Sequence, residues 1–218
     1  MKEENILKKL SSADSFTIMN GVCGLLSIFF ILEGERHLSM LFILLAVLAD
    51  GMDGVVARRY GGYLGRYMDE FSDIVSFLVA PIIFSWNVYE LDAYPAILAA
   101  SSFMLVTGML HLIAYHVGRK DVFTGIPTPA VAIIIVSISY LSFPIIATLS
   151  AMVMLSVVMI SPLLYPRIEK YLILPAVVII LAAMSGDDRA VMLLLISSLI
   201  YAAGGPLYVR MRGNNRNP

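Results

Sequence analysis

Charge is scarce in this 218-residue sequence. Asp, Glu, Lys and Arg together make up 14% of it, where a soluble domain carries about 25%. Hydrophobic residues make up 59%, and the mean hydropathy is +0.85. A water-soluble fold of this size has no room to hide so much apolar surface, so the implied solvent is the bilayer. A net charge of −1 and the lack of a dense basic tract argue against a nucleic-acid partner. The single cysteine, Cys23, excludes an internal disulfide, and no Cys/His cluster has zinc spacing. Lying inside an apolar run, Cys23 reads as a packed apolar side chain. No internal repeat or low-complexity tract appears, so residues 1–218 read as one domain. No small-residue cleavage pattern follows the first apolar run, which therefore reads as a retained helix, not a signal peptide.

Long apolar runs are what the sequence has instead. A membrane helix needs roughly 17–25 predominantly apolar residues. Runs at 16–32, 37–58, 67–88, 93–116, 127–143, 145–165, 170–185 and 188–208 predict an all-α, polytopic transmembrane bundle of about eight membrane helices. Eight crossings put both termini on one side. Thirteen of the fifteen Lys and Arg residues then share that side, leaving only Arg36 and Arg189 on the other. That asymmetry predicts cytosolic termini in a multi-pass protein of the cell membrane. In residues 1–13, the pattern of Ile6, Leu7 and Leu10 suggests a short amphipathic helix along the cytosolic interface. A disordered tail fits equally well.

The chemistry is concentrated in residues 50–73, DGMDGVVARRYGGYLGRYMDEFSD. Asp50 and Asp53 close the second predicted helix and Asp69 and Asp73 open the third. At about 100° per residue, Asp50, Asp53, Gly54 and Ala57 form one stripe, and Asp69 and Asp73 stack on another face. The short link at 61–65 makes the two helices antiparallel neighbours, so four carboxylates converge near the cytosolic boundary. Each Asp at membrane depth costs on the order of 2.5–3.5 kcal/mol, and mutual repulsion adds to that. Two divalent cations, Mg²⁺ or Mn²⁺, resolve both problems, because hard ions take carboxylate oxygens and keep positions open for phosphate. Cations sharing carboxylates can also grip a pyrophosphate. Gly54 and Ala57 let a nucleotide lie against the helix, Arg58 offers a fork suited to phosphate, and Thr17 and Asn20 sit one turn apart beside the same cavity. The competing reading pairs the aspartates with Arg58, Arg59 and Arg66 as ordinary interface charges.

Asp50, Asp53, Gly54, Ala57, Arg58, Gly65, Asp69 and Asp73 resemble the signature of the CDP-alcohol phosphatidyltransferase family, D-x2-D-G-x2-A-R-x(7 or 8)-G-x3-D-x3-D. The sequence departs from it in one place, since six residues separate Arg58 from Gly65. The resemblance covers most of the chain, the family core being six helices, but is sharp only over residues 17–73. It implies that Asp50, Asp53 and Asp69 are metal ligands. Asp73 would be both a ligand and the base that deprotonates the acceptor hydroxyl. Gly54, Ala57 and Arg58 would hold the CDP portion, together with Thr17 and Asn20, which look like the family's first-helix T-x2-N. A homodimer through the later helices is left open.

Two further runs bear on the acceptor. Asp73-Ile74-Val75-Ser76-Phe77 followed by Pro81, and the run FTGIPTP at 123–129, look like the phosphatidylserine synthase branch, which also includes archaetidylserine synthases. The partners implied are a CDP-linked lipid donor, with diacylglycerol or archaeol tails, and L-serine as acceptor. Where that branch has an R-L-A-R-F-N-like run, this chain has His111-Leu112-Ile113-Ala114-Tyr115-His116. The cationic partner for the serine carboxylate would then come from His111, His116, Arg119 or Lys120. Two other readings stay open: a sister enzyme with inositol phosphate or glycerol phosphate as acceptor, and a divalent-cation transporter. The transporter reading wants acids at several membrane depths, whereas here the intramembrane acids cluster on one side.

Overall fold

The computed structural model describes residues 12–60, 65–89, 94–117, 123–166 and 170–214. In chain order the elements are α1 (Ser12–Leu32), α2 (Arg36–Tyr60), α3 (Gly65–Asp73), a π-helical stretch (Ile74–Val79), α4 (Ala80–Tyr89), α5 (Tyr94–Val117) and β1 (Phe123–Thr124). They continue with α6 (Thr128–Tyr140), α7 (Ile145–Met159), β2 (Leu164–Tyr165), α8 (Lys170–Ala183) and α9 (Asp188–Asn214). Because α3, the π stretch and α4 run on without a break, the described residues form eight helical rods. They coincide in order with the eight apolar runs, and the protein is an all-α membrane bundle.

Among the described residues, four stretches are long and apolar enough to cross a bilayer: Asp14–Leu32, Tyr67–Tyr89, Pro95–Ala114 and Asp188–Arg212. The sequence misjudges the length of three others. The run at 127–143 shortens to the thirteen residues of α6, that at 145–165 to α7, and that at 170–185 to α8. At 1.5 Å per residue α6 reaches about 20 Å, short of a hydrocarbon core of about 30 Å. The reason lies in its surroundings. Every residue from 131 to 139 is buried, and α6 packs against α2, the π stretch, α4, α7 and α9. A helix wrapped by protein is apolar all round and need not match the lipid. The expected amphipathic helix at 1–13 falls largely on residues 1–11, outside the described residues.

Buried hydroxyls join the rods. Ser27 and Ser39 share a hydrogen bond of 2.8 Å between α1 and α2, and Ser85 and Ser139 one of 2.8 Å between α4 and α6. Such pairs hold membrane helices together where no hydrophobic drive exists between them. At one end of the bundle, Tyr89 Oη donates to the Phe143 carbonyl at 2.7 Å and Tyr140 Oη to that of Gly186 at 3.0 Å. His37 Nε2 meets the Met184 carbonyl there at 2.9 Å. The acidic residues of α2 and α3 lie at the opposite end, as does the one sheet among the described residues. That sheet is an antiparallel pair in which Phe123 faces Tyr165 and Thr124 faces Leu164.

Candidate active site

Two matching stripes build the site. On α1, Thr17, Asn20, Gly21 and Gly24 follow the i, i+3, i+4, i+7 spacing of one helix face. On the α3 rod, Asp69, Ser72, Asp73 and Ser76 follow the same spacing. The stripes face each other at close range. A Cβ on Gly24 would lie 2.7 Å from Ser76 Cα, and one on Gly21 would lie 3.0 Å from Ser72 Oγ. The two glycines therefore let the backbones approach, as small residues do between membrane helices. Once close, Ser72 Oγ donates to the Thr17 carbonyl at 2.9 Å and Ser76 Oγ to the Asn20 carbonyl at 2.8 Å.

This contact delivers Asn20 to Asp73. Asn20 Nδ2 donates to Asp73 Oδ1 at 2.9 Å, with Asn20 fully buried and Asp73 only 7% exposed. The other amide atom, Asn20 Oδ1, is buried with no hydrogen-bond donor among the described residues. A buried polar atom in that state is rare and marks either strain or a place for a ligand. Immediately after Asp73 the rod widens into its π stretch, where the Ala80 N–H reaches the Val75 carbonyl. Pro81 follows and has no N–H to give, which breaks the ordinary ladder at this point. π turns of this kind tend to sit at functional sites.

Asp50, in the second half of α2, completes the group. One oxygen each from Asp50, Asp69 and Asp73 lies within 4.8 Å of the others, Asp50 and Asp69 being half-buried. An all-oxygen, all-anionic donor set suits a hard divalent cation and does not suit zinc or copper. The orphaned Asn20 oxygen beside it also fits a site built around a ligand. Asp53, Gly54, Ala57 and Arg58 lie on the last turns of α2, one to two turns beyond Asp50, and their expected roles fall on side chains outside the described ones.

The expected acceptor residues are not gathered in the same way. His111 on α5 is buried, and its Nδ1 meets the Met159 carbonyl at 2.8 Å. The side chain of His116 lies outside the described residues, as do Arg119 and Lys120. Sequence reasoning missed Gly21, Gly24 and Ser72, although their small-residue spacing on facing helices was a readable signal. It also missed Asp14, which is fully buried on the same face of α1 as Thr17.

Comparison with known proteins points to one family. The family model for CDP-alcohol phosphatidyltransferase matches residues 10–163, well over half of the chain. An archaetidylserine synthase of Methanothermobacter thermautotrophicus is 35% identical over 179 residues, covering 78% of this chain and 75% of that one. A CDP-diacylglycerol–serine O-phosphatidyltransferase of Bacillus subtilis is 32% identical over 161 residues, covering 71% and 89% respectively. A protein of the same name from Methanocaldococcus jannaschii is 31% identical over 165 residues, covering 75% and 77%.

Proposed function

The chain belongs to the CDP-alcohol phosphatidyltransferase family, and from that premise we propose that it transfers a phosphatidyl-type group from a CDP-linked lipid to the hydroxyl of L-serine, releasing CMP. The observation that carries the reading is the convergence of Asp50, Asp69 and Asp73 at the end of a membrane bundle, in a chain whose relatives act on serine by name. Family membership sets the transporter reading aside. Residues 1–218 form one membrane domain in this reading, with termini and active site on the cytosolic side. Pairing of two copies through the outward faces of the later helices completes it.

Asp50, Asp53, Asp69 and Asp73 would hold two divalent cations, Mg²⁺ or Mn²⁺, whose contribution is to neutralise the charge that builds on the pyrophosphate as CMP departs. The remaining work falls to the chain's own groups. Thr17, Asn20, Gly54, Ala57 and Arg58 receive the CDP portion, the small residues by leaving room and Arg58 by a bidentate fork. The unsatisfied Asn20 Oδ1 takes an N–H of that ligand. Asp73 removes the proton from the serine hydroxyl as the new P–O bond forms, a contribution of about 10²–10⁴-fold. Its carboxylate is aimed by the Asn20 amide, 2.9 Å away. No Ser–His or Cys–His pair stands at the cluster among the described residues, so direct attack by the acceptor is the simpler route.

The test is CMP release by the purified protein with a CDP-linked lipid and Mn²⁺ or Mg²⁺, comparing L-serine with inositol phosphate and glycerol phosphate. Serine-dependent release that Asp73→Asn abolishes is the expected result. Release only with a phosphorylated acceptor moves the protein to a sister activity with the same mechanism.

A further inference from the structure

We propose that His111 is a positioning residue for acceptor selection: it holds the turn at 123–127 against the end of α7, and through that turn it shapes the side of the site that receives the acceptor. The inference rests on the serine-transfer reading above.

The geometry centres on one carbonyl. Met159 is the last residue of α7, where helical carbonyls lose their i+4 partners. His111 supplies the missing donor. A carbonyl only accepts, so Nδ1 carries the proton of this 2.8 Å bond. That ring nitrogen is committed to backbone, and the imidazole cannot offer both N–H groups to an acceptor carboxylate. Gly125 presses on the same point. Its φ is +83°, and a Cβ there would strike the Met159 carbonyl and come within 3.0 Å of His111 Nδ1. Three separate stretches, α5, the end of α7 and the 123–127 turn, thus meet at one oxygen.

The turn is fixed on its other side as well. The Gly125 N–H donates to the Leu163 carbonyl at 2.7 Å, continuing the β1–β2 pairing. Tyr165 is buried and its Oη donates to the Ala202 carbonyl at 2.8 Å, while Tyr201 Oη donates to that of Pro166 at 3.1 Å. The strand pair that carries the turn is therefore anchored to α9, and on its α5 side the turn packs beside His111.

The connection to the site runs through packing. Leu112, Ile126, Met159 and Tyr165 belong to one apolar cluster with Leu78, and Ile74 packs against it. Ile74 adjoins Asp73. On the rod, Ile74 and Leu78 present a different face from Ser72 and Ser76, which meet α1. The apolar cluster that includes the neighbours of His111 thus lies on the face of the rod away from Thr17 and Asn20, the face that this proposal assigns to the acceptor. A misplacement of about 1 Å at such a point can lower a rate by about 10²-fold.

The experiment compares full-length wild type with His111→Ala, His111→Asn and Gly125→Ala, reading KM for serine, KM for the CDP-linked lipid, kcat, and hydrogen exchange of segments 123–127 and 159–165. Expected for His111→Ala is a rise of at least about tenfold in KM for serine, a lipid KM within about twofold of wild type, and faster exchange in both segments. Gly125→Ala should reproduce that pattern. His111→Asn, whose amide can still donate to the carbonyl, should recover most of the loss. Equal losses in the Ala and Asn variants with unchanged exchange would overturn the proposal, since the ring would then act directly on substrate. A fall in kcat with both KM values raised together would overturn it in favour of general loss of structure. If wild type shows no serine-dependent release, the serine reading fails on its own, and exchange in the three variants still decides whether His111 holds the turn.

Discussion

Asn20 and Asp73 lie 53 positions apart in sequence, yet the amide of one sits 2.9 Å from the carboxylate of the other, with both buried. Removing one hydrogen-bond donor from a buried carboxylate costs about 1–3 kcal/mol. Asn20→Ala should therefore lower kcat for CMP release by about 10²-fold, and Asn20→Asp, which sets a second carboxylate against Asp73, should lower it further. Steady-state kinetics in detergent would check this. Full activity in Asn20→Ala would show that Asp73 needs no aiming.

The contact that delivers Asn20 depends on Gly24. Gly24→Ala places a methyl against the Ser76 backbone and forces α1 away from the π stretch, an overpacking of about 1–3 kcal/mol. Ser76→Ala removes only the bond to the Asn20 carbonyl, on the order of 0.6 kcal/mol for such pairs in membranes. Thermal unfolding in detergent should rank Gly24→Ala well below Ser76→Ala; the reverse order would mean that hydrogen bonding, not close approach, joins these helices.

Chelation should abolish CMP release, and Mg²⁺ or Mn²⁺ should restore it. Asp50→Asn and Asp69→Asn should each reduce the rate by at least about 10²-fold and weaken Mn²⁺ binding measured directly by electron paramagnetic resonance. Unaltered Mn²⁺ binding in both variants would dissociate the carboxylate cluster from the metal.

Sidedness can be read with thiol labelling, because the one native thiol, Cys23, is buried. Glu35→Cys lies at the end of the bundle opposite the acidic cluster, and Thr124→Cys at the same end as it; both positions are exposed. A membrane-impermeant maleimide should label the first in intact cells and the second only after lysis. The opposite pattern would invert the proposed orientation.

The acidic cluster was legible because its spacing is local: Asp50 stands on one helix, Asp69 and Asp73 on the next, joined by a short link. Eight apolar runs gave the eight rods for the same reason. What lay beyond the sequence was long-range. Nothing in residues 127–143 tells that α6 is shielded by protein and so shorter than a bilayer requires. The π stretch lies just before Pro81 and packs against α1, α5 and α6, long-range neighbours that the composition of residues 74–79 does not announce. His111 read as a cation for the acceptor because its partner, the Met159 carbonyl 48 positions away, carries no sequence signature at all.

The enclosure of α6 also bears on how the protein is made. Two of the elements that wrap this helix, α7 and α9, follow it in the chain, and α9 ends at residue 214. A ribosome therefore releases α6 into the membrane before these two neighbours are complete. During that interval a thirteen-residue segment, too short to span the lipid unaided, must wait beside α2 and α4 with one flank open. Its bond from Ser139 to Ser85 gives it an early partner on that side. The bundle around α6 therefore closes only once α9 has been made.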